Sequence, residues 1–247
     1  MSLNYRITNG GSNTIDSLYV GYWADPVVRN INVSPPGTSG FFTQGGNGYI
    51  DSLELAYEFD ANSPDTIFSP TYFGVKFLGS EDKTGFQHPR LGTNFGDHFS
   101  TWQFQSSDPF YFTPANDVQK YDKMTQGLNN FDAANGTKDW EDDIIPEIRI
   151  PSNRTQVLSV GPFATLEPGE SIDVAFAVIC AFRNDDGTPI GIDSDEAKSF
   201  LIQTAGWAHT AYLGEDANFN GVLDPGEDND GDGVIDRFLL PTPPDVP

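Results

Sequence analysis

The chain has 247 residues, enough for one large all-β domain or two small ones with a real core. Its 36 acidic and 13 basic side chains give a formal net charge of −23, which repels phosphate backbones and anionic leaflets. No nucleic-acid partner and no docking on an anionic membrane are therefore expected. Aromatics at 13%, 19 of them Phe, exclude a disordered chain, while 25 Gly and 18 Pro suit many turns between short strands.

In chain order, "LNYRITN" reads as a strand, "GGSNT" as a turn and "DSLYVGYW" as a second strand. "SLELAYEFD" alternates, with Leu53, Leu55, Tyr57 and Phe59 on one face and Glu54, Ala56 and Glu58 on the other; "TYFGVKFLG" repeats this with Phe73, Val75 and Phe77. Alternation of that kind predicts antiparallel sheets with one face packed and one wet. From about Ser80 to Ile144 the pattern fades. One helix is predicted there, over "TPANDVQKYDKM", with Thr113 as cap, Pro114 at the first helical position and Val118, Tyr121 and Met124 on one side.

Strands return at "PEIRIP", "RTQVLSVGPF" and "SIDVAFAVICA". In the last, Ile172, Val174, Phe176, Val178 and Cys180 share a face, so the one cysteine of the chain is read as a buried, inert thiol. The period then becomes helical. Over residues 194–213, Ala197, Phe200, Leu201, Thr204, Ala205, Ala208, Ala211 and Tyr212 fall at i, i+3, i+4, i+7 spacing. Asp193 and Glu196 have capping-box spacing and Gly214 is placed as the stop.

The helix runs into "EDANFNGVLDPGEDNDGDGVIDRF". Calcium takes six to eight oxygen ligands, which a tight loop supplies from alternate positions. Asp216, Asn218, Asn220, Val222 (through its carbonyl), Asp224 and Glu227 occupy positions 1, 3, 5, 7, 9 and 12 of such a loop, with Gly221 at position 6. A second loop starts at Asp228 and continues with Asp230, Asp232, Gly233, Val234 and Asp236, but position 12 is Leu239, so a carboxylate from elsewhere has to close it. The first loop resembles an EF-hand loop throughout and the second through position 9, yet "FLLPTPPDVP" cannot form a following helix, so the pair is more like the tandem loops of thrombospondin type 3 repeats or dockerins. The expected cofactor is Ca2+, two ions, acting as a staple rather than a switch, because a sensor needs a second helix to move.

Catalytic motifs are lacking: His88, His98 and His209 show no paired-ligand spacing, and no nucleophile elbow, P-loop or dinucleotide fingerprint is present. The rings of "NFGDHFSTWQFQSSDPFYF", Phe95, Phe99, Trp102, Phe104, Phe110, Tyr111 and Phe112, are read first as core and second as a sugar-stacking platform. Three Asn-x-Ser/Thr sequons begin at Asn32, Asn135 and Asn153 and are expected by chance in so Asn-rich a chain.

"LSVGPFATLEPGESIDVAFAVICA", the Ala-rich helix and the double acidic loop before "LLPTPPDVP" resemble β-sandwich modules of unknown function in large secreted bacterial multidomain proteins. That resemblance implies export to the extracellular space or cell surface, calcium and adjacent domains of the same chain; it carries no catalytic or ligand residue. No run of about 18 apolar residues predicts membrane insertion, and "MSLNYRITNG" lacks the apolar core of a signal peptide, so any targeting signal is placed outside this sequence.

The sequence thus predicts an all-β, mainly antiparallel β-sandwich over residues 1–213 including the C-terminal helix 194–213, tandem calcium loops over 214–237 and a Pro-rich linker over 238–247. The expected function is that of a non-catalytic, calcium-stabilised structural or interaction module whose partner is another surface protein. A carbohydrate-binding module using the aromatics around 95–112 is the second reading, and a glycoside hydrolase or other hydrolase the third.

Overall fold

The computed structural model describes residues 1–29, 36–37, 40–61, 69–129, 138–184 and 193–239. Among the described residues nine strands carry the fold: β1 (Ser2–Thr8), β2 (Val20–Ala24), β3 (Gly45–Ile50), β4 (Leu55–Asp60), β5 (Thr71–Asp82), β6 (Gly85–Gln87), β7 (Gly96–Gln103), β8 (Arg154–Gly161) and β9 (Ser171–Phe182). They pair antiparallel into a large sheet of order β1-β9-β5-β4-β3, with β6 added on β5, and a small sheet of order β2-β8-β7. Three α-helices are described: α1 (Asp117–Thr125), α2 (Ile145–Ile148), which continues a π-helical turn at Trp140–Ile144, and α3 (Ser199–Leu213). No described helix is long and apolar enough to cross a membrane.

The large sheet is buried on both faces at its centre. One apolar cluster joins Ala56, Val75, Phe77, Val174 and Phe176 of the large sheet to Ala24, Phe99, Leu158 and Val160 of the small one. A second gathers Leu55, Tyr57, Phe59, Leu78, Ala177 and Ile179 under Leu201, Ala205 and Tyr212 of α3. The expectation of one packed and one wet face is therefore corrected. Glu54, Glu58 and Lys76, polar on the sequence, are all buried.

Their burial is tolerated because each finds a partner or gives up its charge. Glu54 accepts two hydrogen bonds from Arg90, Nε at 2.7 Å and Nη2 at 3.0 Å, and pairs with Lys76 at 3.4 Å. Glu58, beside Asn47, has its carboxyl pushed well above the ordinary carboxylate range, chiefly by desolvation.

Several local expectations are also corrected. The cap of α1 is Asn116, whose side chain accepts from the Gln119 amide, and Thr113 lies outside the helix. Val118 and Tyr121 face solvent while Lys123 is the buried residue of that helix. "PEIRIP" is not a strand: Asp139 caps the π-helical turn through the Glu141 and Asp142 amides, and Pro146 then falls in the first turn of α2, where its missing N–H costs nothing.

Asp193 does not cap α3, which begins at Ser199. Its buried carboxylate accepts from Tyr57 at 2.5 Å and Tyr72 at 3.1 Å and pairs with Arg149 at 3.1 Å and Lys198 at 3.5 Å, pinning the approach to α3 onto the sheet. Phe200 is 46% exposed although the helical spacing placed it inward, and Cys180, near the end of β9, is exposed rather than buried. The sequons at Asn32 and Asn135, and the tract 240–247, lie outside the described residues.

Candidate metal centre

Helix α3 stops at Gly214, whose backbone (φ 59°, ψ −114°) no side chain would favour. A Cβ there would sit 1.9 Å from the Asp236 carbonyl. That carbonyl accepts the Glu215 amide at 2.9 Å, so the far end of the acidic stretch is tied back to its beginning.

Between these points the chain makes two turns of the same shape. In the first loop Asp216 accepts the Asn220 and Gly221 amides, Asn218 accepts the Asn220 amide and Asn220 accepts the Val222 amide, all within 2.7–3.1 Å. In the second, Asp228 accepts the Gly231 and Gly233 amides, Asp230 accepts the Asp232 amide and Asp232 accepts the Val234 amide, again within 2.7–3.1 Å. The left-handed positions also coincide: Phe219 (φ 61°) and Gly221 (72°) in one, Gly231 (82°) and Gly233 (78°) in the other. The side chains of Asn218 and Asn220 each donate to one oxygen of Asp224, at 2.6 and 2.7 Å, so three of the sequence-predicted ligands of the first loop converge.

The first loop is closed by its own last acid and the second by an acid from outside it. Glu227, the last position of the first loop, accepts the Asn218 amide at 3.3 Å and the Asp224 amide at 2.9 Å. The second loop has Leu239 at the equivalent place, which is exposed. Its amides are taken instead by Glu215, which accepts from Asn229 at 2.7 Å and from Asp236 at 3.0 Å. Glu215, 2% exposed, brings a carboxylate oxygen within 4.8 Å of one from each of Asp228 and Asp230, a group of acids that could hold a metal ion.

Sequence reasoning required an outside carboxylate for the second loop but did not find Glu215. The signal was there: an Glu-Asp pair opens both copies of a 12-residue repeat, at 215–216 and at 227–228. The crowding has an electrostatic consequence at Asp236, whose carboxyl is raised above its ordinary value, first by desolvation and then by Asp230, Glu215, Asp232 and Asp228.

The first loop is also docked on the domain. The Phe219 ring meets His88 at 4.3 Å, His209 at 4.9 Å and Phe86 at 5.5 Å between centroids. Arg237 lies over Phe86 at 4.1 Å and Tyr212 at 5.1 Å and reaches Asp216 at 3.2 Å, so a residue from the end of the second loop pairs with the first acid of the first. Val222 and Val234 themselves are exposed, as expected of residues that would offer only their carbonyls.

Of the aromatic segment, Phe95, Phe99, Trp102 and Tyr111 are buried, and only Phe104 is largely exposed. The core reading of those rings holds for most of them. His88 and His209 are 6.3 Å apart between ring centroids and both pack against Phe219. In comparisons with known proteins, the chain matches no protein-family model, no curated protein and no solved structure.

Proposed function

We infer that the chain is a non-catalytic structural or interaction module of an exported or cell-surface protein, with two sheets facing each other as a sandwich and a C-terminal double loop that takes two calcium ions. The observation that carries this reading is the pair of equivalent closing acids, Glu227 on the first loop and Glu215 on the second. Each loop then has a full set of hard oxygen donors at alternate positions and a carboxylate at its closing end, the donor chemistry that suits calcium. Mixed Asn and Asp ligands in the first loop, with no sulfur or imidazole donor in either, argue against zinc and copper.

The ions would act as a staple. Eight acids lie within residues 215–236, and two divalent cations offset half of that charge while fixing both turns against α3. Extracellular modules of this kind bind calcium with a Kd on the order of 10⁻⁴–10⁻³ M. At about ten times Kd each site adds roughly 1.4 kcal/mol. Two sites raise the melting temperature by roughly 5–10 °C for a domain of this size.

The test is a thermal melt in EDTA against a calcium titration, with calorimetry to count sites. A melting temperature that climbs with calcium and a stoichiometry near two support the reading. No response to millimolar calcium sinks it, and the double loop is then a hydrogen-bonded acidic tail.

A further inference from the structure

Away from the acidic loops, the outer face of the small sheet is left partly uncovered. Register places Trp23 beside Val157 and Ser100 in one cross-strand row, with Thr155 and Trp102 two residues along on the same face. Helix α1 covers one end of this face: Ser100 and Ser159 donate to the Lys123 and Met124 carbonyls at 2.8 and 2.7 Å. Beyond the helix lies a groove of about 610 Å³, within the range of small-ligand sites. It is lined by Trp102, 7% exposed, and by Trp23 and Phe104, each 60% exposed.

Two large rings that open to water across a concave surface are costly to leave uncovered, and burial of that area is not achieved by any described part of the chain. The charged groups in the lining are Lys120, Lys123 and Asp25. Lys123 is committed to the Phe110 carbonyl at 2.8 Å and lies over the Phe112 ring, and Asp25 accepts the Thr155 hydroxyl at 3.1 Å. Among the described residues Lys120 pairs with Asp117, a contact in which both side chains are mostly exposed and which exchanges readily with solvent. On a chain of net charge −23, this groove carries more positive than negative lining.

Aromatic faces select the C–H faces of pyranose rings, and a cationic rim selects a carboxylate on the sugar. We propose that the groove between Trp23 and Phe104 binds an acidic oligosaccharide, one made of uronic acid units, with the rings stacking on the two exposed aromatics and a carboxylate meeting Lys120. This is independent of the calcium loops and survives their failure. It differs from the broader sugar platform expected over 95–112, because most of those rings are core and one of the two exposed rings, Trp23, lies outside that segment.

The probe is trigalacturonate, too short to gel with calcium, with cellotriose as the neutral control. Binding is followed by calorimetry and by the tryptophan emission of the intact chain. Saturable binding of trigalacturonate is expected, weakened about tenfold or more by Trp23→Ala or Phe104→Ala, a factor of ten being about 1.4 kcal/mol. Lys120→Gln should weaken trigalacturonate and leave cellotriose unchanged. Because all three side chains are exposed, each variant should melt within a degree or two of the parent. No binding at millimolar ligand, or binding indifferent to both ring deletions, overturns the proposal; equal binding of cellotriose overturns its acidic specificity.

Discussion

The Glu215 carboxylate accepts the Asp236 amide at 3.0 Å, the contact that Glu227 makes with Asp224 at 2.9 Å in the loop before it. The equivalence makes the two sites separable by single substitutions. Glu215→Gln should abolish the second site and Glu227→Gln the first, each cutting calorimetric stoichiometry from two to one and the calcium-dependent gain in melting temperature by about half. A Glu215→Gln variant that still binds two ions would remove Glu215 from the ligand set.

Gly214 makes the return of the chain possible, since any Cβ collides with the Asp236 carbonyl. Gly214→Ala should therefore detach the second loop from α3 and cost about 2 kcal/mol or more, through both the clash and the backbone region it requires. The loss should be larger with calcium than in EDTA, because the detached loop also loses Glu215. Equal losses in the two conditions, measured by denaturant titration, would mean that the metal does not depend on this junction.

Phe219 couples the first loop to the domain, and its left-handed backbone (φ 61°) is held against the preference of a bulky residue. Phe219→Gly relaxes that backbone but removes the ring from between His88, His209 and Phe86. The packing loss should win, because aromatic truncation costs about 3–5 kcal/mol in a core and part of that here. The variant should still bind calcium, with a smaller thermal gain for the same occupancy. If its thermal gain equals that of the parent, the loop is not mechanically joined to the sheet through this ring.

What was legible in the sequence follows from what alternation can report. The strands at Leu55–Asp60, Thr71–Asp82, Arg154–Gly161 and Ser171–Phe182 show it, and each was placed within a few residues. The wet face assigned to two of them was not wet, because Glu54, Lys76 and Arg90 satisfy one another and burial pushes the Glu58 carboxyl well above its ordinary value; charge on a sequence reads as solvent exposure. Strand β3, "GGNGYI", has no apolar alternation because a Cβ at Gly48 would lie 2.2 Å from the Tyr57 ring. The two acidic turns follow the spacing read in the sequence because their hydrogen bonds are local, whereas Arg237, Phe219 and Glu215 act on partners in another loop or another strand.

Asp193 joins β4, β5, the segment after α2 and the approach to α3 through Tyr57, Tyr72, Arg149 and Lys198. Asp193→Ala leaves two cations facing a buried gap, and breaking a buried pair in this way costs about 3–5 kcal/mol. Asp193→Asn, which keeps acceptor capacity for the tyrosines, should cost less. Neither variant should alter calcium stoichiometry. A loss below about 1 kcal/mol for the alanine variant would show that the four partners are satisfied without the carboxylate.

Acid should unfold the domain partly through His88. Its ring is fully buried between Phe77 and Phe86, and burial, then the charges of Lys76, Arg90 and His209, push its pKa down to about 2. The Glu54 carboxylate lies 3.9 Å from Nε2 but is already taken by Arg90 and Lys76. The unfolded chain therefore binds the proton first as pH falls below about 6.5, and stability declines by up to about 1.4 kcal/mol per pH unit from this residue alone. His209, lowered to about 4, acts in the same direction between 6.5 and 4, while Asp97, raised to about 6, acts in the opposite one: its folded form keeps the proton between 3.8 and 6. His88→Phe preserves the ring stack and gives up only the acceptor for the Arg90 amide at 3.2 Å. In EDTA, to keep the acidic loops out of the comparison, the melting temperature of this variant should fall less steeply than that of the parent between pH 6.5 and 5. Parallel curves would show that the buried imidazole takes up its proton without unfolding the domain.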